Sequence, residues 1–137
     1  MNYIEMLKEK GLKATPQRIC VLKSLDKHTH PTIDELYNDI KEIYPSISLA
    51  TVYKNLNALI DSNLAVEVNI PNKKSKYDIY AKPHIHVVCD KCGYMHDMYQ
   101  DDIDLERCRE DIEQHFGAFV KKLNLVAVVD SCKNCEN

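Results

Sequence analysis

The chain has 137 residues, room for one ordinary domain or two very small ones. Hydrophobic residues make up 45% and charged residues 28%, which excludes a disordered chain, and no apolar run reaches membrane-spanning length. The formal net charge of −3 excludes a uniformly basic nucleic-acid binder but not a local basic face, because residues 1–82 carry 12 Lys+Arg against 10 Asp+Glu and residues 83–137 carry 6 against 11.

The segment from Asn2 to Lys10 predicts a short helix closed by Gly11. Thr15-Pro16 is a helix start, with Thr as cap and Pro at the first helical position. That helix is expected to run to about Lys27 and to bury Ile19, Leu22 and Leu25. Pro31-Thr32 opens the next helix, where Ile33, Leu36, Tyr37, Ile40 and Tyr44 recur at helical spacing until Pro45. Ser48 caps a fourth, with Leu49, Val52, Tyr53, Leu56, Leu59 and Ile60 on one apolar face. From residue 64 the period becomes two: Leu64, Val66, Val68 and Ile70 alternate with Ala65, Glu67 and Asn69. Residues 71–75 read as a turn and Lys76 to Ala81 as a returning strand. Helices followed by a hairpin are the pattern of a winged helix-turn-helix, so residues 1–82 are expected to form a DNA-binding domain, with a hinge near Lys82-Pro83. Residues 83–137 read as strand Ile85–Cys89, a Cys turn, strand Tyr94–Met98, a helix from Asp104 to Phe116 and a long strand Val120–Val129. The expected class is α+β, with a small α/β domain after the winged helix.

Six cysteines are many for a chain of this length, and the N-terminus lacks the pattern of a secretory signal, so a cytoplasmic protein is expected. In a reducing compartment paired cysteines more often bind metal than form disulfides. Cys89-x-x-Cys92 and Cys132-x-x-Cys135 stand 39 residues apart. Two such pairs aim four sulfurs at one ion and predict a closed, structural Zn2+ site. The alternative reading is a pair of redox dithiols. Cys20 and Cys108 have no such spacing; Cys20 reads as a small buried hydrophobe. His84 and His86 are two apart on a strand, so their rings share a face and suit one ion. Spacing alone does not add His30, Asp78 or Asp97 to them. His28, His96 and His115 read as surface or capping residues.

The helix from Ser48 to Ser62 is expected to enter a major groove by its N-terminal part, with Ala50, Thr51, Lys54, Asn55 and Asn57 outward. Tyr53 falls on the apolar face by spacing. Arg18, Lys54, Lys73, Lys74 and Lys76 are expected phosphate contacts.

Thr15-Pro16-Gln17-Arg18, His30-Pro31-Thr32, Ala50-Thr51-Val52-Tyr53-Lys54-Asn55-Leu56, His84-Ile85-His86 and the two Cys pairs, in this order, closely resemble the ferric uptake regulator family of metal-dependent repressors. Within it the chain is most similar to the peroxide-sensing type. That resemblance implies a regulatory Fe2+ or Mn2+ held by His30, Asp78, His84, His86 and Asp97. It makes Tyr53 a DNA contact. It implies a homodimer on double-stranded palindromic operator DNA, with residues 83–137 as the metal-binding dimerisation domain. Hydrogen peroxide would be the signal: iron-catalysed oxidation of His30 or His84 releases the operator and derepresses peroxide-defence genes. The protein would then be no enzyme. Asp97 is the discriminating position, since iron-responsive members carry Glu there. Those members also read His-His-Asp-His where this chain has Pro83-His84-Ile85-His86.

The nearest alternative is an iron-responsive repressor of the same family without peroxide chemistry. A zinc-responsive member would often place Cys in the sensing site. A non-haem iron oxygenase could use two His and a carboxylate, but no substrate pocket is evident in so short a chain. The plainest alternative is a zinc-stabilised interaction domain that tolerates loss of Asp78, His84 and Asp97.

Overall fold

A computed structural model of the chain describes residues 2–80 and 82–135. They fall into two compact units, Met1–Ala81 and Lys82–Asn137.

In the first unit every helix starts at a side-chain oxygen that satisfies an otherwise orphaned backbone N–H. Helix α1 (Tyr3–Glu9) is capped by Asn2, which accepts from Glu5 N–H. It stops at Gly11, whose φ of 71° lies in the left-handed region that glycine adopts without steric cost. Helix α2 (Pro16–Leu25) is capped by Thr15. Helix α3 (Ile33–Ile43) carries a full capping box, Thr32 and Glu35 each accepting from the other's backbone N–H. Helix α4 (Leu49–Asp61) is capped by Ser48. Leu7, Leu22, Leu25, Leu36, Ile40, Leu56 and Leu59 are fully buried in one core, with Cys20 among them as expected.

The apolar face of α4 is narrower than its sequence suggests. Val52, Leu56 and Leu59 are buried, but Leu49 and Tyr53 are exposed. One residue is a rotation of about 100° around a helix, so Tyr53 leaves the face that Val52 holds.

Strand β1 (Ala65–Val68) pairs antiparallel with β2 (Lys76–Ile79), Val66 opposite Asp78. Ala81, the expected end of the returning strand, lies outside the described residues. The hairpin packs through β1 on α4 and through β2 on α2. Tyr77 N–H donates to Pro31 O at 2.9 Å, tying β2 to the loop before α3.

In the second unit β3 (His84–Cys89) is central, antiparallel to β4 (Met95–Tyr99) and parallel to β5 (Val126–Val129). Helix α5 (Leu105–Phe116) lies between β4 and β5 in the chain, capped by Asp104 and ended by Gly117 at φ 61°. The long strand expected over Val120–Val129 is confined to its last four residues. Val120 N–H donates instead to Glu113 Oε2 at 2.9 Å, so this segment is tied to α5 and not to a ladder. No described helix is long and apolar enough to cross a membrane.

Thr32→Ala should lower the unfolding free energy by about 1 kcal/mol through loss of the capping box. Leu56→Ala should cost about 2–5 kcal/mol through the cavity it leaves. Urea denaturation checks the order; equal losses would contradict it.

Candidate metal centres and nucleic-acid face

The parallel pairing of β5 with β3 brings the two Cys pairs together. Cys89 ends β3, and Asp90 N–H donates to Val129 O at 2.8 Å, so the chain leaves both strands at the same edge. Gly93, at φ 75°, turns back to Cys89 O. Cys92 N–H then points at Cys89 Sγ at 3.4 Å, and Cys132 N–H at Cys135 Sγ at 3.4 Å. Cys89 Sγ lies 3.3 Å from Cys135 Sγ, and Cys92 Sγ 3.5 Å from Cys132 Sγ. All four sulfurs are within 4.8 Å of one another. A tetrahedron with zinc–sulfur bonds of about 2.3 Å has edges of about 3.8 Å, so the donor set and its spacing fit zinc. The thiols are electrostatically frustrated by one another. The Cys92 backbone N–H holds Cys89 down at about 6, while burial and then the neighbouring thiols push Cys132 up to about 12. A dication removes that conflict by stabilising four thiolates at once.

Each unit also holds its own set of imidazole and carboxylate donors. In the first, β2 turns Asp78 inward opposite Val66, where it is 0% exposed. His30, 7% exposed, places Nε2 3.5 Å from Asp78 Oδ2. In the second, the β3–β4 register sets His86 opposite Asp97. His84 and His86 share one face, and their Nε2 atoms converge to 3.2 Å. Asp97 Oδ1 lies 3.5 Å from His86 Nε2 and 3.8 Å from His84 Nε2. His84 Nδ1 lies 2.8 Å from the Lys82 carbonyl. A ring N–H donated there leaves Nε2 unprotonated, the tautomer that a metal ligand needs. Imidazole and carboxylate oxygen suit first-row divalent metals such as iron and manganese.

On α4, Ala50, Tyr53, Lys54 and Asn57 are exposed at positions i, i+3, i+4 and i+7, one continuous stripe. Thr51 is half-buried, its hydroxyl 2.9 Å from that of Ser48. Asn55 departs from the outward reading. It is 8% exposed on the side of Val52 and Leu56, and its amide donates to Thr51 O at 3.1 Å. Arg18 is half-buried and donates to Lys13 O at 3.0 Å. Lys73, Lys74 and Lys76 lie at the hairpin turn and the start of β2, with Lys74 paired to Asp34 at 2.7 Å.

His28 is not the isolated surface residue that its sequence position suggests. Its Nδ1 is 3.6 Å from Asp78 Oδ1 and its Nε2 3.5 Å from Asp26 Oδ1. The signal was present: His28-x-His30 repeats the His84-x-His86 spacing, but in a loop, where spacing assigns no face. His96 stacks on Tyr94 with ring centroids 4.5 Å apart, and His115 is exposed against Phe116. Cys108 is half-buried on α5, away from the thiol cluster.

Residues 9–127 match the Ferric uptake regulator family. The chain is 33% identical over 135 residues to the peroxide-responsive repressor PerR of Staphylococcus saprophyticus, covering 98% of this chain and 89% of that relative. Its structure is similar to the crystal structure of the Campylobacter jejuni peroxide stress regulator, with a TM-score of 0.82 and 55% identity over 98% of this chain and all (100%) of that one. It is also similar to the Vibrio cholerae ferric uptake regulator, a structure described as having DNA-binding domains, with a TM-score of 0.66 and 26% identity over 96% and 100% of the two chains.

Cys89→Ser or Cys132→Ser should abolish zinc retention and destabilise the second unit by on the order of 4 kcal/mol or more. Zinc content by atomic emission, read beside the melting temperature, checks this. Stoichiometric zinc with an unchanged melting temperature in either variant would contradict the site.

Proposed function

The chain belongs to the ferric uptake regulator family, and from that premise we propose that it is a metal-dependent transcriptional repressor that senses hydrogen peroxide. The observation that carries this reading is the pair of buried donor sets, all imidazole and aspartate, His30 with Asp78 and His84 with His86 and Asp97. The likeness to a peroxide stress regulator, at 55% identity, exceeds that to an iron-type regulator, at 26%.

We assign structural Zn2+ to Cys89, Cys92, Cys132 and Cys135, and regulatory Fe2+ or Mn2+ to His30, Asp78, His84, His86 and Asp97. Residues 1–82 act as a winged-helix DNA-binding domain and residues 83–137 as the dimerisation domain. When bound, Fe2+ would supply the redox chemistry by which peroxide passes one oxygen atom to an imidazole and leaves the other as water, the imidazole losing two electrons overall, whereas Mn2+ would react poorly with peroxide. The chain's own part is to draw ligands from both domains and to hold the His30 and His84 imidazoles where they take up an oxygen atom. A histidine so oxidised is a poorer ligand, so the two donor sets lose their shared partner and the operator is released. Because the metal favours one arrangement of the domains, binding is a population shift driven by differential affinity.

The DNA face of α4 is the exposed stripe of Ala50, Tyr53, Lys54 and Asn57, with Thr51 at its N-terminal edge. Asn55 serves the helix by bonding Thr51 O. Arg18 and the hairpin lysines add phosphate contacts. Dimerisation is favoured by Phe116, Phe119 and Val128, which the second unit leaves 74%, 93% and 52% exposed. A two-fold dimer suits a palindromic operator. Such a regulator works in the cytoplasm and is no enzyme.

Loading the zinc-retaining protein with Fe(II) without oxygen, adding stoichiometric peroxide and mapping peptides by mass spectrometry tests the reading. One added oxygen at His30 or His84, absent with Mn(II), is expected. No added oxygen with DNA binding still iron-dependent would make this an iron sensor. Asp97→Glu should keep metal-dependent DNA binding and blunt that oxidation. Lys54→Ala should weaken operator binding and reduce the slope of log affinity against log salt by about one; an unchanged slope would remove Lys54 from the phosphate contacts.

A further inference from the structure

His28 stands outside the five ligands assigned above, yet its ring lies between two carboxylates. Nδ1 faces Asp78 Oδ1 at 3.6 Å and Nε2 faces Asp26 Oδ1 at 3.5 Å. Asp26 is held in turn by Tyr3, whose hydroxyl donates to Oδ2 at 2.6 Å. That hydrogen bond, with burial and the Asp26 charge behind it, pushes the Tyr3 phenol up to about 12, so it stays a donor at neutral pH. The two oxygens of Asp78 therefore have different neighbours. Oδ1 accepts from Ile79 N–H at 2.8 Å and faces His28, while Oδ2 faces His30 Nε2 at 3.5 Å.

The backbone carries a second, independent observation. His28 and His30 have φ of 56° and 51°, in the left-handed region that side-chain-bearing residues rarely adopt. Such conformations cost energy and persist where the surroundings over-determine them, often at functional sites. Here two such residues, two positions apart, turn both rings onto a single carboxylate. His28 is also 41% exposed by its side chain while Asp78 is 0% exposed, so it stands between the buried carboxylate and water.

We propose that His28, anchored by Asp26, is a positioning residue of the regulatory site: it holds the Oδ1 side of Asp78 and leaves Oδ2 as the oxygen offered to the metal. A carboxylate fixed in this way binds through one oxygen and does not take up a further coordination position. Without His28 the carboxylate is less constrained and more able to chelate through both oxygens. Groups that orient a ligand in this way commonly matter to metal affinity about 10–100-fold. The inference rests on the assignment of Asp78 as a ligand.

The test uses the full chain with its zinc retained and Mn(II) as the probe, with affinity read by competition against a fluorescent divalent-metal chelator. His28→Gly tolerates the left-handed backbone and removes the ring. His28→Asn tolerates the same backbone and keeps a side-chain donor. Asp78→Asn is the reference for loss of a ligand. His28→Gly should weaken Mn(II) binding by about 10–100-fold at an unchanged melting temperature, should alter the Mn(II) electron paramagnetic resonance line shape, and should be largely rescued by His28→Asn. Parent-like affinity in His28→Gly with loss in Asp78→Asn would overturn the role of His28 alone. Parent-like affinity in Asp78→Asn would overturn the ligand assignment itself. Equal weakening in both His28 variants with a lowered melting temperature would show a purely structural loop and also overturn the proposal.

Discussion

Asp78 is a carboxylate taken wholly out of water and set against imidazole rings. Burying a charge without compensation costs several kcal/mol, and hydrogen bonds to a backbone N–H recover only part of it. The fold accepts this cost through its hairpin: the β1–β2 register that turns Ala65 and Ile79 into the helical core sets Asp78 on the opposite face, beside the buried Val66. The β3–β4 ladder repeats the device, bringing two imidazole nitrogens to 3.2 Å with a carboxylate opposite. Imidazole and carboxylate donors gathered in this way suit a first-row divalent cation. The four thiols at the other end of β3 obey the same rule with softer donors, one held down at about 6 and another driven up to about 12.

Much of this was legible in the sequence because it rests on local chemistry. Thr15 and Ser48 announce helix starts, and each caps the helix that follows. The Cys-x-x-Cys pairs and His84-x-His86 carry their geometry in their spacing. What was not legible depends on register and packing. The segment Val120–Val129 reads as strand by composition, but the bond from Val120 to Glu113 holds its upstream end at α5. Asn55 looks like a base-reading residue by type, yet a helical position beside Leu56 sends it inward. Nothing in a linear pattern joins His30 to Asp78, which are 48 positions apart, or says that His28 shares the same carboxylate. Those contacts arise from two left-handed residues in a loop and from which way one strand faces.

The division of donors between two units gives the proposed switch its logic. The first set offers two donors and the second three, so an ion that drew on both, as proposed, would gain affinity only in arrangements that bring both to it. The Cys cluster is of another kind: its four thiols lie in one unit, and four sulfurs on one zinc ion, as proposed, would leave no open position.

The central claim is that the regulatory metal and operator DNA are coupled through the His and Asp donors. The most direct measurement is the coupling free energy taken from both sides, in the zinc-retaining protein without oxygen. Mn(II) should raise operator affinity by fluorescence anisotropy, and operator should raise Mn(II) affinity by the same factor, since linkage is reciprocal. His30→Ala and His86→Ala, one from each set, should each reduce that factor to one. A factor of one in the parent protein, or one that survives either substitution, would contradict a shared site and leave metal and DNA binding as independent properties of this chain.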